Sequence, residues 1–142
     1  PDGVDVWFTT RSSLNEDREK AITGIHASVS SILNHSMRFG LANKNVPGQF
    51  LDKVQEYVDG YELYDHVLQG GRNPQRMADL GLTDYAMDRF ALAGDAKDWI
   101  ERISAIADAG GTNIWFSVEP GPIEKQIHYM KMFEREILPE FV

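Results

Sequence analysis

Residues 89–122 read RFALAGDAKDWIERISAIADAGGTNIWFSVEPGP, and the reading of this stretch decides the fold. Residues 90–93 are a short apolar run that stops at Gly94. Asp95 then offers a helix N-cap, with Asp98 three residues on in the capping-box position, and both carboxylates suit the positive end of a helix dipole. Trp99, Ile100, Ile103 and Ile106 recur at helical spacing. Gly110 and Gly111 stop the helix. Residues 113–118 read as a second strand, punctuated by Glu119-Pro120-Gly121-Pro122. Strand, crossover helix and strand imply a parallel pair. The chemistry of such a unit gathers at the carboxyl ends of its strands, here Ala93-Gly94-Asp95 and Ser117-Val118-Glu119.

Upstream, residues 4–10 (VDVWFTT) alternate β-branched and aromatic side chains and predict another strand, with Arg11 at its carboxyl end. Ser13 with Glu16, or Asn15 alone, can cap the helix that follows. Ile22, Ile25, Val29, Ile32, Leu33 and Met37 form its apolar stripe, and Lys20, Thr23, Ser30 and Asn34 its polar face. After a loop at 40–46, Pro47 opens a helical insertion covering about residues 47–88. Phe50, Val54, Tyr57, Tyr61, Tyr64 and Leu68 predict one helical face there, ended by Gly70-Gly71. Thr83 can cap a further turn of helix through Met87. The last helix is expected to bury Ile123, Ile127, Met130, Phe133 and Ile137 and to end before Pro139. Three strands, each followed by a helix, predict an α/β protein with a parallel sheet.

Bulk properties narrow the function. A length of 142 residues suits one domain, and 42% apolar with 25% charged residues is ordinary for a globular protein. No run approaches the ~18 apolar residues of a membrane span. A net charge of −8 opposes binding to nucleic acid or an anionic membrane. The absence of cysteine excludes thiol catalysis and cysteine-ligated metals, and fits a reducing cytoplasm. His26 and His35 stand nine apart, on opposite sides of one helix, and His66 and His128 have no partner at ligand spacing, so no metal site is expected. There is no Ser-His-Asp set, paired-carboxylate signature or phosphate-binding glycine loop.

The segments VDVWFTTRSSLNEDREKAI, ILNHSMRF and GLTDYAMDRFALAGDAKDWIERISAIADAGGTNIWFS, in that order, resemble the C-terminal part of the luciferase-like flavin-dependent oxidoreductases. Within that family they look most like the branch using the deazaflavin F420, such as methylenetetrahydromethanopterin reductase-like proteins. The most specific element is the apolar strand, glycine and capped helix of RFALAG followed, four residues later, by WIERI. The resemblance implies that residues 1–142 are the C-terminal part of a (β/α)8 TIM barrel contributing its last three parallel strands, with the N-terminal half of the barrel, or a second copy, as a partner.

It further implies an oxidoreductase whose parent passes a hydride between F420, or alternatively FMN, and a small organic substrate, or acts as a flavin-dependent monooxygenase. In that chemistry the cofactor carries the hydride and the protein orients it, which fits the lack of catalytic motifs. The chain alone is expected to be inactive. Barrel geometry would place Thr9, Thr10, Arg11, Ser117 and Glu119 around the cofactor or substrate pocket, with one of the two threonines facing inward. A cytoplasmic homo-oligomer is expected. The competing reading is a non-catalytic α/β interaction or dimerisation module.

Overall fold

The computed structural model describes residues 5, 7–68, 70–118 and 121–142. The expected strand at 4–10 is observed as β1, Trp7–Leu14; Val4 and Val6 lie outside the described residues. It runs four residues further than expected, which puts Arg11 in mid-strand. The reason is alternation: Ser12 and Leu14 are buried and continue the period-two pattern that pairs them with residues 92 and 94. Helix α1, Arg18–Met37, consequently begins later. Its first turn is held by Asp17, whose Oδ1 accepts from the backbone N–H groups of Glu19 (3.1 Å) and Lys20 (3.3 Å), while Asn15 Oδ1 accepts from Asp17 N–H at 2.9 Å. Hydrogen bonds from Lys20, chiefly its side chain, lower the Asp17 carboxyl pKa.

The chain divides into two compact units, one comprising the chain up to Ile25 together with Ala91–Val142, the other His26–Phe90. In the first, β2 (Ala91–Gly94), α5 (Ala96–Asp108), β3 (Asn113–Val118) and α6 (Ile123–Glu136) follow in order. All strands are parallel, but the sheet order is β2-β1-β3. The pairing expected between the second and third strands is therefore replaced by two pairings with β1. Two features account for this. A 13-residue crossover helix is ~20 Å long, enough to carry the chain over an intervening strand, and the eight residues of β1 offer a longer edge than the four of β2.

Thr10, Ser12 and Leu14 share a face of the sheet with Leu92 and Phe116, and that face is covered by α5 and α6. Trp99 is the centre of the core. Its ring meets Phe116, Tyr129 and Phe133 edge-on at centroid distances of 5.2, 5.8 and 5.9 Å, and its Nε1 donates to Ser13 O at 3.2 Å. On α6 the buried row is Tyr129 and Met132, followed by Ile137; Phe133 is half-buried, whereas Ile123, Ile127 and Met130, expected in the core, are exposed. Both rows have helical spacing, and the large aromatic cluster around Trp99 selects the tyrosine row. On the opposite face of the sheet, α1 approaches closely enough that a Cβ on Gly24 would stand 3.8 Å from Ser13 Oγ.

The second unit is helical: α1 from His26, α2 (Leu51–Asp59), α3 (Arg72–Asp79) and α4 (Thr83–Phe90). Val29, Leu33, Met37, Val54, Tyr57, Met77, Leu82 and Ala86 are buried. Ser30 and Asn34, expected on a solvated face, are buried too. Tyr57 Oη donates to Ser30 O at 2.7 Å, and Ser30 Oγ donates to Tyr57 Oη at 2.8 Å. That exchange satisfies both hydroxyls. The long helix expected through Leu68 stops at Gly60, and Tyr64 and Leu68 are exposed. Arg76 lies against Gly60, in space a Cβ would fill, and its Nη2 donates to Glu56 O at 3.0 Å, so the guanidinium closes the helix end. Asn73 then clamps the chain after the turn, accepting from Glu62 N–H (2.9 Å) and donating to Glu62 O (2.7 Å).

The predicted capping box is present: Asp98 N–H donates to Asp95 Oδ1 (3.0 Å) and Asp95 N–H to Asp98 Oδ2 (3.1 Å). Gly94, at φ +145°, leaves the space that the Asp98 carboxylate occupies. Asp95→Ala should cost about 1 kcal/mol by loss of the cap. Gly94→Ala should cost more, because an added methyl strains the backbone and displaces Asp98. Urea denaturation of the two variants checks the order, and equal costs would contradict it.

Candidate functional site

Residues directly opposite in parallel strands project to the same face, so the register assigns the faces. Arg11 lies opposite Ser117, Thr9 opposite Trp115 and Trp7 opposite Asn113. These six residues share the sheet face turned away from α5 and α6. Arg11 Nη1 donates to Ser117 Oγ at 3.2 Å. Thr9 and Arg11 are exposed, and Trp7 and Trp115 keep 61% and 66% of their surface open to solvent. Among the described residues Arg11 makes no ion pair, and its guanidinium meets the Ser117 hydroxyl.

The sheet therefore brings Thr9, Arg11 and Ser117 together and separates Thr10 from them. Thr10 lies on the opposite face, where its Oγ1 donates to Arg11 O at 3.1 Å. Glu119 lies outside the described residues. Two residues absent from the expected site belong to its face, Trp7 and Trp115. The signal for Trp7 was its parity with Thr9 and Arg11; that for Trp115 was its parity with Ser117.

Directly beneath this face is a buried polar relay. Ser12 Oγ donates to Ser117 O at 2.9 Å and lies 3.0 Å from Tyr129 Oη. A serine hydroxyl has one proton, so with that proton on the Ser117 carbonyl, Tyr129 is the donor to Ser12. Burial pushes the Tyr129 phenol well above its ordinary value, against the opposing pull of the Ser12 hydrogen bond, and so keeps it a neutral donor. At the carboxyl end of β1, Glu16 Oε1 lies 3.3 Å from His128 Nε2 on α6. The Glu16 carboxyl is lowered first by a backbone hydrogen bond and then by His128, with burial opposing.

A second serine–histidine contact occurs in the helical unit, where Ser31 Oγ is 3.2 Å from His66 Nε2 and 3.5 Å from Nδ1. Near-equal distances put the hydroxyl off the lone-pair axis of either nitrogen, and Nδ1 already engages Tyr61 Oη at 2.8 Å. This is not the geometry of an activated nucleophile. Among the described residues no group of three or more His, Asp or Glu could hold a metal ion, and no helix is long and apolar enough to cross a membrane.

An exposed guanidinium, two hydroxyls and two indole rings form a donor set for an anionic group attached to a planar ring: the guanidinium fork recognises carboxylate or phosphate, and the indoles offer stacking surface. Against known proteins, no family profile and no curated sequence matches. Among solved structures, the coenzyme F420 dependent tetrahydromethanopterin reductase from Methanopyrus kandleri is similar, with a TM-score of 0.64 and 23% sequence identity. The likeness is one of fold. It takes in 99% of this chain, which spans only 37% of the length of that reductase. The chain is thus an α/β structure of three parallel strands and helices that matches part of a larger enzyme.

The relay and the open face should respond differently to substitution. Ser12→Ala removes two hydrogen bonds and leaves the Tyr129 hydroxyl buried without an acceptor, a loss of about 1–3 kcal/mol. Arg11→Ala, on the exposed face, should stay within about 0.5 kcal/mol of the parent chain. Urea denaturation measures both, and a costly Arg11→Ala would make Arg11 a structural residue.

Proposed function

We propose that this chain is part of an F420-dependent oxidoreductase and supplies one wall of its cofactor or substrate pocket. The observation that carries the reading is the fold likeness to an F420-dependent reductase, together with an open sheet face whose donors suit an anionic planar group. Arg11 would hold an anionic substituent of the cofactor or substrate, Thr9 would add a hydroxyl, and Ser117 would orient the guanidinium where β3 pairs with β1. Trp7 and Trp115 would exclude water from one side of a ring. The bound cofactor, F420 or alternatively FMN, would accept and return the hydride. Glu119, next along from Val118, is kept as a candidate of the same pocket. We place the enzyme in the cytoplasm, acting on a small organic substrate.

Titration of the complete gene product with F420, followed by its absorbance and fluorescence, should saturate. Arg11→Ala should weaken binding by about 10- to 100-fold, the value of one charge-assisted hydrogen bond. Failure to bind either F420 or FMN would sink the redox assignment.

The strand order favours a second reading strongly enough to test. In a barrel wall successive strands are neighbours, so β3 would lie against β2, and the edge of β1 that β3 occupies would belong to a preceding strand. With the order β2-β1-β3 the chain completes its own small sheet, as a non-catalytic α/β module would. Residues 1–142 contain no cysteine, so once any cysteine elsewhere in the gene product is replaced an introduced pair allows a direct choice. Thr9→Cys and Trp115→Cys are register partners across β1 and β3. Under mild oxidation the pair should cross-link in the module arrangement and stay reduced in the complete gene product if that forms a barrel; mass spectrometry reads the difference.

A further inference from the structure

The tyrosines of this chain, at 57, 61, 64, 85 and 129, differ in what can accept the phenolic proton. Tyr57 donates to the carbonyl of Ser30, and Tyr129 to the hydroxyl of Ser12. Tyr64 stands in water, and the buried Oη of Tyr85 has no partner among the described residues. Tyr61 alone meets a base: its Oη lies 2.8 Å from Nδ1 of His66. A phenol can donate there only when the ring proton is on Nε2, and Ser31 Oγ stands nearer that nitrogen (3.2 Å) than Nδ1 (3.5 Å).

A strained backbone sets the imidazole in place. Val67, the next residue, has φ +53°, in the left-handed region that a branched side chain disfavours. The turn is held on either side by His66 N–H on Leu63 O and Leu68 N–H on Asp65 O, both at 3.2 Å. Arg72 N–H fastens Asp65 Oδ2 at 3.1 Å. Strain maintained by this many bonds marks a place where position matters. The position it fixes is that of Nδ1 against Tyr61.

We propose that Tyr61 and His66 form a one-electron redox site, in which the phenol is oxidised as its proton passes to the imidazole. A phenol that loses an electron becomes a strong acid. It is therefore oxidised readily where a base within hydrogen-bond reach takes the proton in the same step. The electron goes to an outer-sphere one-electron oxidant, of the class of photoexcited flavins and oxidising metal complexes. The O–H bond of Tyr61 breaks and an N–H bond forms at Nδ1, leaving a neutral phenoxyl and an imidazolium. Return of one electron reverses both changes. At rest, burial raises the Tyr61 phenol above its ordinary value, against the pull of Ser31, so the proton stays on oxygen until an electron leaves. Tyr57, whose ring meets Tyr61 edge-on at 5.8 Å, competes poorly, because a backbone carbonyl is too weak a base to take its proton.

Photogenerated tris(bipyridine)ruthenium(III) serves as the oxidant in the test. Oxidation of the 142-residue chain should give a phenoxyl signal in electron paramagnetic resonance that narrows when tyrosine is ring-deuterated. Tyr61→Phe should remove the signal and Tyr64→Phe should not, with circular dichroism unchanged in both. His66→Gln keeps a hydrogen-bonding group but no base, and should slow radical formation by about 100-fold, the scale of one general base. Imidazole added to His66→Ala should restore part of the rate. In the parent chain, deuterium oxide should slow formation, because the O–H bond breaks as the electron leaves. A signal that survives Tyr61→Phe, a signal from tryptophan alone, a rate indifferent to His66→Gln, or a parent chain without an isotope effect would each overturn the proposal.

Discussion

The first unit depends on how the indole of Trp99 is held. Its ring is wholly buried among Phe116, Tyr129 and Phe133, and its one polar atom is satisfied by the backbone of β1. Burial of such a ring is worth several kcal/mol, and an unpaired indole N–H would return part of that gain. The bond to Ser13 O therefore ties helix α5 to the central strand at a defined height. The ring contacts then fix β3 and α6 relative to the same point. The choice of buried row on α6 and the parity of the open face follow from this placement.

The capping box of α5 was legible because it is local, whereas the start of α1 at Asp17 was not. Asp95 and Asp98 stand three apart, and no distant residue is needed for their mutual hydrogen bonds. The same holds for the apolar stripe of α1 from Ile25 to Met37. The strand order was not legible, since a crossover helix encodes a parallel return but not the number of strands it passes. Helix α6 was ambiguous for a related reason. It carries two apolar rows, and only the aromatic residues of other elements decide which one faces inward. Buried hydroxyls were misread by type. Ser30 looked solvated because serine usually is, yet its bond with Tyr57 comes from an element far along the chain.

The candidate site was legible in part for the same physical reasons. Period-two alternation places Thr9 and Arg11 on one side of a strand whatever its neighbours, so their shared face could be anticipated. That Ser117 stands beside Arg11, and not at the mouth of a different pair of strands, depends on the register of β1 with β3. Ser12 and Tyr129, which support that register from below, belong to no motif. Their partnership exists only once the sheet is assembled.

The central strand is made before both of the strands it pairs with. During synthesis β1 leaves the ribosome before either of its neighbours exists: β2 begins at Ala91 and β3 at Asn113. The whole helical unit, His26–Phe90, is translated in between as one contiguous stretch. Its contacts are local in sequence where those of the sheet are not, so it should gain structure early and the sheet late. Until then β1, with Trp7 and Phe8 at its start, lacks both of the strands it pairs with in this sheet. Between residue 14 and residue 91 β1 is therefore open to mispairing with strands other than these two.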